Sequence, residues 1–458
     1  MTVPQIKPVV LRDLLNADTA LRIDLPDDTS PALPGLDRDD LIQLAGRTVL
    51  IATRSQASTA AALIALDGVA SAFVICPPDM SSDLLRSIAE TAGVEAIITD
   101  HSDFDIGMNI PVLVRGTNNG IPDAKGLQQQ ETRWIMPTSG TTGRPKLVAH
   151  RFSALIGAIS STSASTNPVW ATFYDIRRYG GLQIFLRACA AGARLVLTNP
   201  TEQLGDFIGR CTAAGVTHLT GTPSHWRRLL MSPFASQIDP AYVRLSGEIA
   251  DRAILDALRA KWPSAAIIHA YASTEAGVGF EVSDGQEGFP AAYLGGLPGI
   301  YLKIEADTLR IRSSRTALTY VGPDAPVLLD DDGFVDTDDV VERVGDRCYF
   351  RGRRSGVVNV GGNKVHPEEV ERVINLHPSV SMSRVRSRRN PILGDLIVAD
   401  VVLKPSASAA SELDHTKLKD EILSACRRDL ARHKVPVALE FSASLPLIGS
   451  GKMGRQHA

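Results

Sequence analysis

The run Pro137-Thr-Ser-Gly-Thr-Thr-Gly-Arg-Pro-Lys-Leu-Val-Ala-His150 concentrates hydroxyl residues and glycines in a turn carrying one lysine. Gly140 and Gly143 let the backbone approach charged oxygens, Ser139, Thr141 and Thr142 supply hydroxyl donors, and Lys146 supplies a positive charge. That chemistry suits a polyphosphate. The spacing is not that of a Walker A loop, where Gly-Lys is followed at once by Ser or Thr; here Arg144-Pro145 precedes Lys146 and Leu147 follows. A polar surface loop is the bland alternative, but such loops rarely combine three hydroxyls, two glycines and a Pro-Lys pair.

Four further segments carry chemistry. Tyr271-Ala-Ser-Thr-Glu-Ala-Gly277 follows an apolar run at 266–269, so Thr274 and Glu275 would sit at the carboxyl end of a strand, where open α/β sheets bind ligands. A hydroxyl and a hard carboxylate there suit a phosphate and its magnesium, although Glu275 alone could be a capping residue on a turn. Gly333-Phe-Val-Asp-Thr-Asp-Asp-Val340, followed by Phe350-Arg-Gly-Arg353, offers carboxylates that could accept from both hydroxyls of a ribose, with arginines nearby. Asn359-Val-Gly-Gly-Asn-Lys-Val-His-Pro-Glu-Glu-Val370 reads as a tight turn before a helix opened by Pro367. Leu445-Pro-Leu-Ile-Gly-Ser-Gly-Lys452 presents one lysine on a glycine loop, or is simply a frayed tail.

These residues need a large scaffold, and 458 residues supply one: a body plus at least one smaller domain. With 44% hydrophobic and 22% charged residues the composition is that of a soluble globular protein, and a net charge of -3 offers no basic field for nucleic acid. The five cysteines show neither Cys-x-x-Cys spacing nor pairing with histidines, which points away from a zinc site or disulfide framework. Residues 1–28 lack the apolar core of a signal peptide and no run reaches membrane-spanning length, so a cytoplasmic location is expected.

Short β-branched runs at 48–52, 72–76, 193–197 and 216–219 alternate with helical stretches at 57–66, 83–92, 204–214 and 252–261. The expected fold class is therefore α/β, with helix-covered, mostly parallel sheets. After about Gly295 short strands and turns indicate a small β-rich subdomain. The charged stretch Arg353-Arg-Ser-Gly356 then suggests a boundary, giving domains 1–353 and 354–458, the second a small α+β unit with a helix at 367–375 and a strand at 396–403. Residues 404–411 read as a loop within it.

Together the five segments resemble the adenylate-forming (ANL) superfamily of acyl-CoA synthetases, peptide-synthetase adenylation domains and firefly luciferase. The resemblance runs from about Leu50 through nearly the whole chain and is strongest over 138–146, 271–277 and 352–371. It implies a mobile carboxyl-terminal domain and the following roles. Thr138, Ser139, Gly140, Thr141, Thr142, Gly143 and Lys146 would close over the β- and γ-phosphates of ATP. Thr274 would contact phosphate and Glu275 would hold magnesium. Tyr271 would flank the adenine, with Gly247 and Glu248 of Ser246-Gly-Glu-Ile249 opposite. Asp339 would bind the ribose with Arg353 as its partner, and Lys452 would be the mobile catalytic lysine. Ser355 would stand at the hinge, and Gly361 and Gly362 would meet the pantetheine arm.

The implied reaction is activation of a carboxylic acid to an acyl adenylate, then thioester formation with CoA, releasing AMP and pyrophosphate. Tyr174, Tyr179, Gly181, Leu182 and His269 are candidates for the acyl pocket, and the aromatics among them could equally be core. Asp175 does not clearly match the residue that holds an amino acid in peptide-synthetase domains, which favours an aryl or medium-chain acid. Loading of an acyl carrier protein is the alternative acceptor chemistry, and a noncatalytic nucleotide or acyl binder is a further alternative. Three positions depart from the family pattern: Asp338 stands where glycine is usual, Ser355 where an acidic residue or lysine is common, and Ile448 where threonine is usual. The extra carboxylate of Asp338 is expected to crowd the ribose site or repel phosphate.

Overall fold

The computed structural model describes residues 9–15, 22–24, 36–115, 127, 129–138, 145–159, 168–199, 201–390, 394–408, 412–449 and 451–454. The chain divides into two compact units, each assembled from separate segments: 1–220, 272–279 and 312–335 in the first, and 221–271, 280–311 and 336–458 in the second.

In the first unit, the runs Thr48–Ile51, Ala72–Ile75 and Ala96–Thr99 are buried at every position, as strands of a sheet covered on both faces must be. They form the centre of a seven-stranded sheet in the order Thr319–Val321, Lys146–Arg151, Arg133–Thr138, Ala72–Ile75, Thr48–Ile51, Ala96–Thr99, Val112–Val114. Its last five strands are parallel, whereas Lys146–Arg151 runs antiparallel to both of its neighbours. The helices that cover it start and stop on local signals. Ser55 caps Gln56–Leu66 by accepting from the amides of Ala57 and Ser58, and Ser82–Ala92 ends at Gly93 in the left-handed region. A second parallel set joins Ile23–Asp24, Arg194–Leu197, Val169–Thr172 and His218–Gly221.

The second unit pairs Tyr242–Ser246 in parallel with Ala266–Ser273. It also holds the β-rich part, a five-stranded sheet ordered Phe289–Pro290, Arg347–Arg353, Val335–Val344, Thr308–Ser313, Ile300–Glu305. Towards its carboxyl end come the hairpin Val358–Val360 with Asn363–Val365 and a three-stranded sheet of Val380–Asn390, Gly394–Leu403 and Ala438–Phe441. Helices Pro367–Asn375 and Glu412–Asp429 contribute to a core of Val365, Val370, Ile374, Val385, Val401, Ile422 and Cys426 that lies wholly within 358–441. Residues 405–408 form one short helical turn rather than open loop. All five cysteines are buried and free, and no helix among the described residues is long and apolar enough to cross a membrane.

Candidate active site

In the second unit, strand register builds the site. Val335–Val344 and Arg347–Arg353 pair antiparallel with Asp339 directly opposite Arg353, and the guanidinium Nε lies 3.4 Å from Asp339 Oδ1. The other oxygen, Oδ2, accepts from the Tyr271 hydroxyl at 2.5 Å. Tyr271 is delivered by the strand Ala266–Ser273, and its ring stacks with Phe350 at 5.2 Å and Phe280 at 5.5 Å. Burial raises the Tyr271 hydroxyl well above the ordinary tyrosine range, and the adjacent carboxylate adds to the effect, so it stays a donor. Burial also raises Asp339, against the opposing pull of Arg353, the Tyr271 hydrogen bond and Lys452, while Asp338 pushes the same way as burial.

Lys452 thus acts on the same carboxylate as Arg353. Its side chain crosses Gly247, where a Cβ would lie 3.1 Å from Lys452 Cε and where φ is +85°. The positive φ favours glycine at 247, and a Cβ there would also press the lysine side chain aside by a few tenths of an ångström. Glu248, next in sequence, points elsewhere: its carboxylate accepts from the Ser224 amide at 2.9 Å, the Ser224 hydroxyl at 3.0 Å and the Met453 amide at 2.7 Å.

In the first unit, Thr138 and Lys146 are cross-strand partners that flank the glycine-rich loop. Ser139, Gly140, Thr141, Thr142 and Gly143 lie outside the described residues. Lys146 Nζ sits 5.2 Å from the centre of the Tyr320 ring, and the Tyr320 hydroxyl donates to Glu275 Oε1 at 3.4 Å. Tyr320 therefore stands between the cation and the carboxylate, a role no local motif announces. Thr274 and Glu275 occupy the turn between Ala266–Ser273 and Gly277–Val282. A single half-buried carboxylate fits magnesium, which binds through one or two carboxylates and completes its shell with phosphate and water. Among the described residues no group of three or more His, Cys, Asp or Glu could cage a metal without such help.

The acyl-pocket candidates fall into both units. Tyr174, Tyr179 and Leu182 are buried in the first, with the Tyr179 ring 5.6 Å from that of His150, and Gly181 lies against the backbone of Asp175. His269, in the second, donates from Nε2 to the Gln286 carbonyl at 2.9 Å. Asp175 is committed to the fully buried Arg177, whose Nε and a terminal nitrogen reach its two oxygens at 2.7 and 2.6 Å. A carboxylate so neutralised is poorly placed to hold an ammonium group. Gly361 and Gly362 form the turn of the Val358–Val360 hairpin, both with positive φ, and Ser355 lies in the short turn Arg354–Gly356.

Family models match the chain over two stretches, an AMP-binding enzyme model over residues 42–311 and an AMP-binding enzyme C-terminal domain over 369–452. A 2-succinylbenzoate–CoA ligase of Bacillus cereus is 23% identical over 438 residues, covering 90% of this chain and 88% of the relative. A 3-[(3aS,4S,7aS)-7a-methyl-1,5-dioxo-octahydro-1H-inden-4-yl]propanoyl:CoA ligase of Rhodococcus jostii is 26% identical over 340 residues, covering 70% of this chain and 63% of the relative. Among solved structures, an anthranilate CoA ligase in complex with anthranoyl-AMP superimposes with a TM-score of 0.76 at 16% identity, over 98% of this chain and 96% of the other.

Proposed function

Because the chain belongs to the AMP-binding enzyme family, we propose that it converts an aryl or medium-chain carboxylic acid to an acyl adenylate with ATP and then to a CoA thioester. It is an acid–thiol ligase. Lys452 carries the assignment, since the carboxyl-terminal lysine lies across Gly247 and acts on the same carboxylate as Tyr271 and Arg353.

In the first half reaction an oxygen of the substrate carboxylate attacks the α-phosphorus of ATP and the bond to pyrophosphate breaks in line. Lys452 offsets the charge that builds on the phosphoryl oxygens, while Asp339, fixed by Tyr271 and Arg353, accepts from the ribose hydroxyls. Thr138, Lys146 and the loop between them would hold the β- and γ-phosphates, and Thr274 would contact phosphate. Magnesium, held by Glu275 when bound, supplies charge neutralisation on the phosphates. In the second half reaction the thiol sulfur attacks the acyl carbon, the anhydride C–O bond breaks and AMP leaves. We assign residues 354–458 to a domain that turns about Ser355 between the two steps and brings Gly361 and Gly362 to the pantetheine arm; its own core within 358–441 supports that division.

The acid is assigned by chemistry. Tyr174 and Tyr179 are buried aromatic side chains suited to an apolar acyl group, and the Asp175–Arg177 pair disfavours an α-amino acid. The acids in the names of the two relatives, 2-succinylbenzoate and a methyl-dioxo-octahydroindenyl propanoate, are ring-bearing carboxylic acids without an α-amino group.

Acid-dependent exchange of labelled pyrophosphate into ATP, run over a panel of aryl and alkyl acids, tests the proposal. At least one apolar acid should support exchange and Lys452→Ala should lower its rate about a hundredfold or more; no exchange with any acid would overturn the activity. Free CoA should then accept the acyl group, and acceptance only by a phosphopantetheinylated carrier protein would reassign the acceptor.

A further inference from the structure

We propose that Thr222 and Glu248 are positioning residues that clamp the backbone on either side of Lys452; this rests on the role given to Lys452 above. The Thr222 hydroxyl donates to the Gly451 carbonyl at 2.7 Å, and the Met453 amide donates to Glu248 Oε1 at 2.7 Å. These two bonds flank the lysine without touching its side chain.

Each clamp is itself fixed. Thr222 caps the helix Pro223–Met231, its hydroxyl accepting from the His225 amide at 3.2 Å. The second oxygen of Glu248 is held by the Ser224 amide in the same first turn. Both clamps are therefore anchored at one helix start. The loop also fits by shape, since a Cβ at Gly451 would fall 1.9 Å from the His225 ring and φ there is +71°. His225 accepts from the Thr222 amide at Nδ1, and burial lowers it to about 3, so the ring touching the lysine loop is neutral. The loop's own bonds, from the Ile448 amide to the Lys452 carbonyl at 2.9 Å and from the Gly451 amide to the Ile448 carbonyl at 2.7 Å, shape it but do not tie it to Gly247. Thr222 and Glu248 do.

A catalytic cation misplaced by about 1 Å can lose on the order of a hundredfold in rate. Thr222→Val and Glu248→Ala should therefore each lower kcat for acid-dependent pyrophosphate exchange by about tenfold or more, with KM for ATP changed less than about threefold. Thr222→Ser, which keeps the donor, should restore the rate. In a Lys452→Ala background neither substitution should matter further. A fall confined to ATP affinity, or full additivity with Lys452→Ala, would overturn the clamp. Hydrogen–deuterium exchange gives a readout without turnover: the Met453 amide should lose protection in Glu248→Ala while the helix Arg252–Lys261 keeps its own. Unchanged protection at Met453 would overturn the clamp. Wild-type protein that shows the protection but no exchange activity would instead defeat the proposed function.

Discussion

The Ser355 hydroxyl donates to Asp338 Oδ2 at 2.5 Å, and the Ser355 amide donates to the same oxygen at 3.2 Å. Arg354 adds an ion pair to the other oxygen at 3.3 Å. Two of the departures from the family pattern thus answer each other. Asp338 has φ of +62°, the left-handed region that explains why glycine is usual at this position and that aspartate tolerates better than most residues. Its carboxylate is engaged by the segment 354–355, so Asp338→Asn should leave KM for ATP within about twofold, a shift well under 1 kcal/mol. Asp338→Val should destabilise the fold by about 2 kcal/mol more than Asp338→Gly in urea unfolding, because a β-branched residue cannot occupy that backbone. Equal stability of the two variants would contradict the strain argument.

Tyr271→Phe keeps the stack with Phe280 and Phe350 and removes only the hydroxyl that fixes Asp339. A hydrogen bond to a charged group contributes about 1.5 kcal/mol or more, so KM for ATP should rise about tenfold with little change in unfolding midpoint. Steady-state kinetics beside a thermal melt separate the two, and a large melt shift without a KM change would assign the bond to stability alone.

Glu275→Gln removes the carboxylate that we assign to magnesium. The magnesium concentration for half-maximal exchange activity should rise by about tenfold or more. A metal titration that superimposes on wild type would reassign Glu275 to the contact with Tyr320 alone.

Burial lowers His150 to about 4 and His225 to about 3, from an ordinary value of 6.5. Between these values the unfolded chain binds protons that the folded chain refuses, so stability should fall as pH drops. Asp67 acts in the opposite sense. Burial raises it to about 6, so between its ordinary value of 3.8 and 6 the folded state keeps a proton that the unfolded state has lost. Counting these three groups alone, two protons against one leave a net loss of about 1.4 kcal/mol per pH unit as pH falls from roughly 6 to 4. His218, His269, His366 and His377, also lowered by burial, act in the same direction, and Asp339, raised by burial, opposes them. Urea unfolding across that range should show the slope, and His150→Gln should flatten it. An unchanged slope in the variant would remove His150 from the account.

Much of this was legible in the sequence because the signals are local. Helices Leu204–Ala214, Arg252–Lys261 and Pro367–Asn375 begin and end as their spacing predicts, with Gly215 left-handed after the first, Asp251 capping the second and Pro367 opening the third. The strand Val380–Asn390 was not legible. Its Arg384-Val-Arg-Ser-Arg-Arg389 run is strongly charged and carries no apolar alternation beyond Val385, yet Arg384 and Arg386 both pair with Asp400 on the neighbouring strand. Within the candidate site, Asp339 and Arg353 could be named from the resemblance their motifs carry, and successive antiparallel strands set them opposite each other. Thr222 and Tyr320 could not, since their partners lie 229 and 45 residues away and only the fold brings them together. Glu248 could be named from its motif, but nothing local shows that its carboxylate faces the Met453 amide.

The most direct test follows the oxygen. When the carboxylate attacks the α-phosphorus and a thiol later attacks the acyl carbon, one carboxylate oxygen must leave with AMP. With acid labelled with oxygen-18 in the carboxylate, mass spectrometry should find one labelled oxygen in each AMP formed together with thioester. Thioester formation with unlabelled AMP, or with ADP and phosphate as the nucleotide products, would contradict an acyl adenylate made at the site of Lys452 and Asp339.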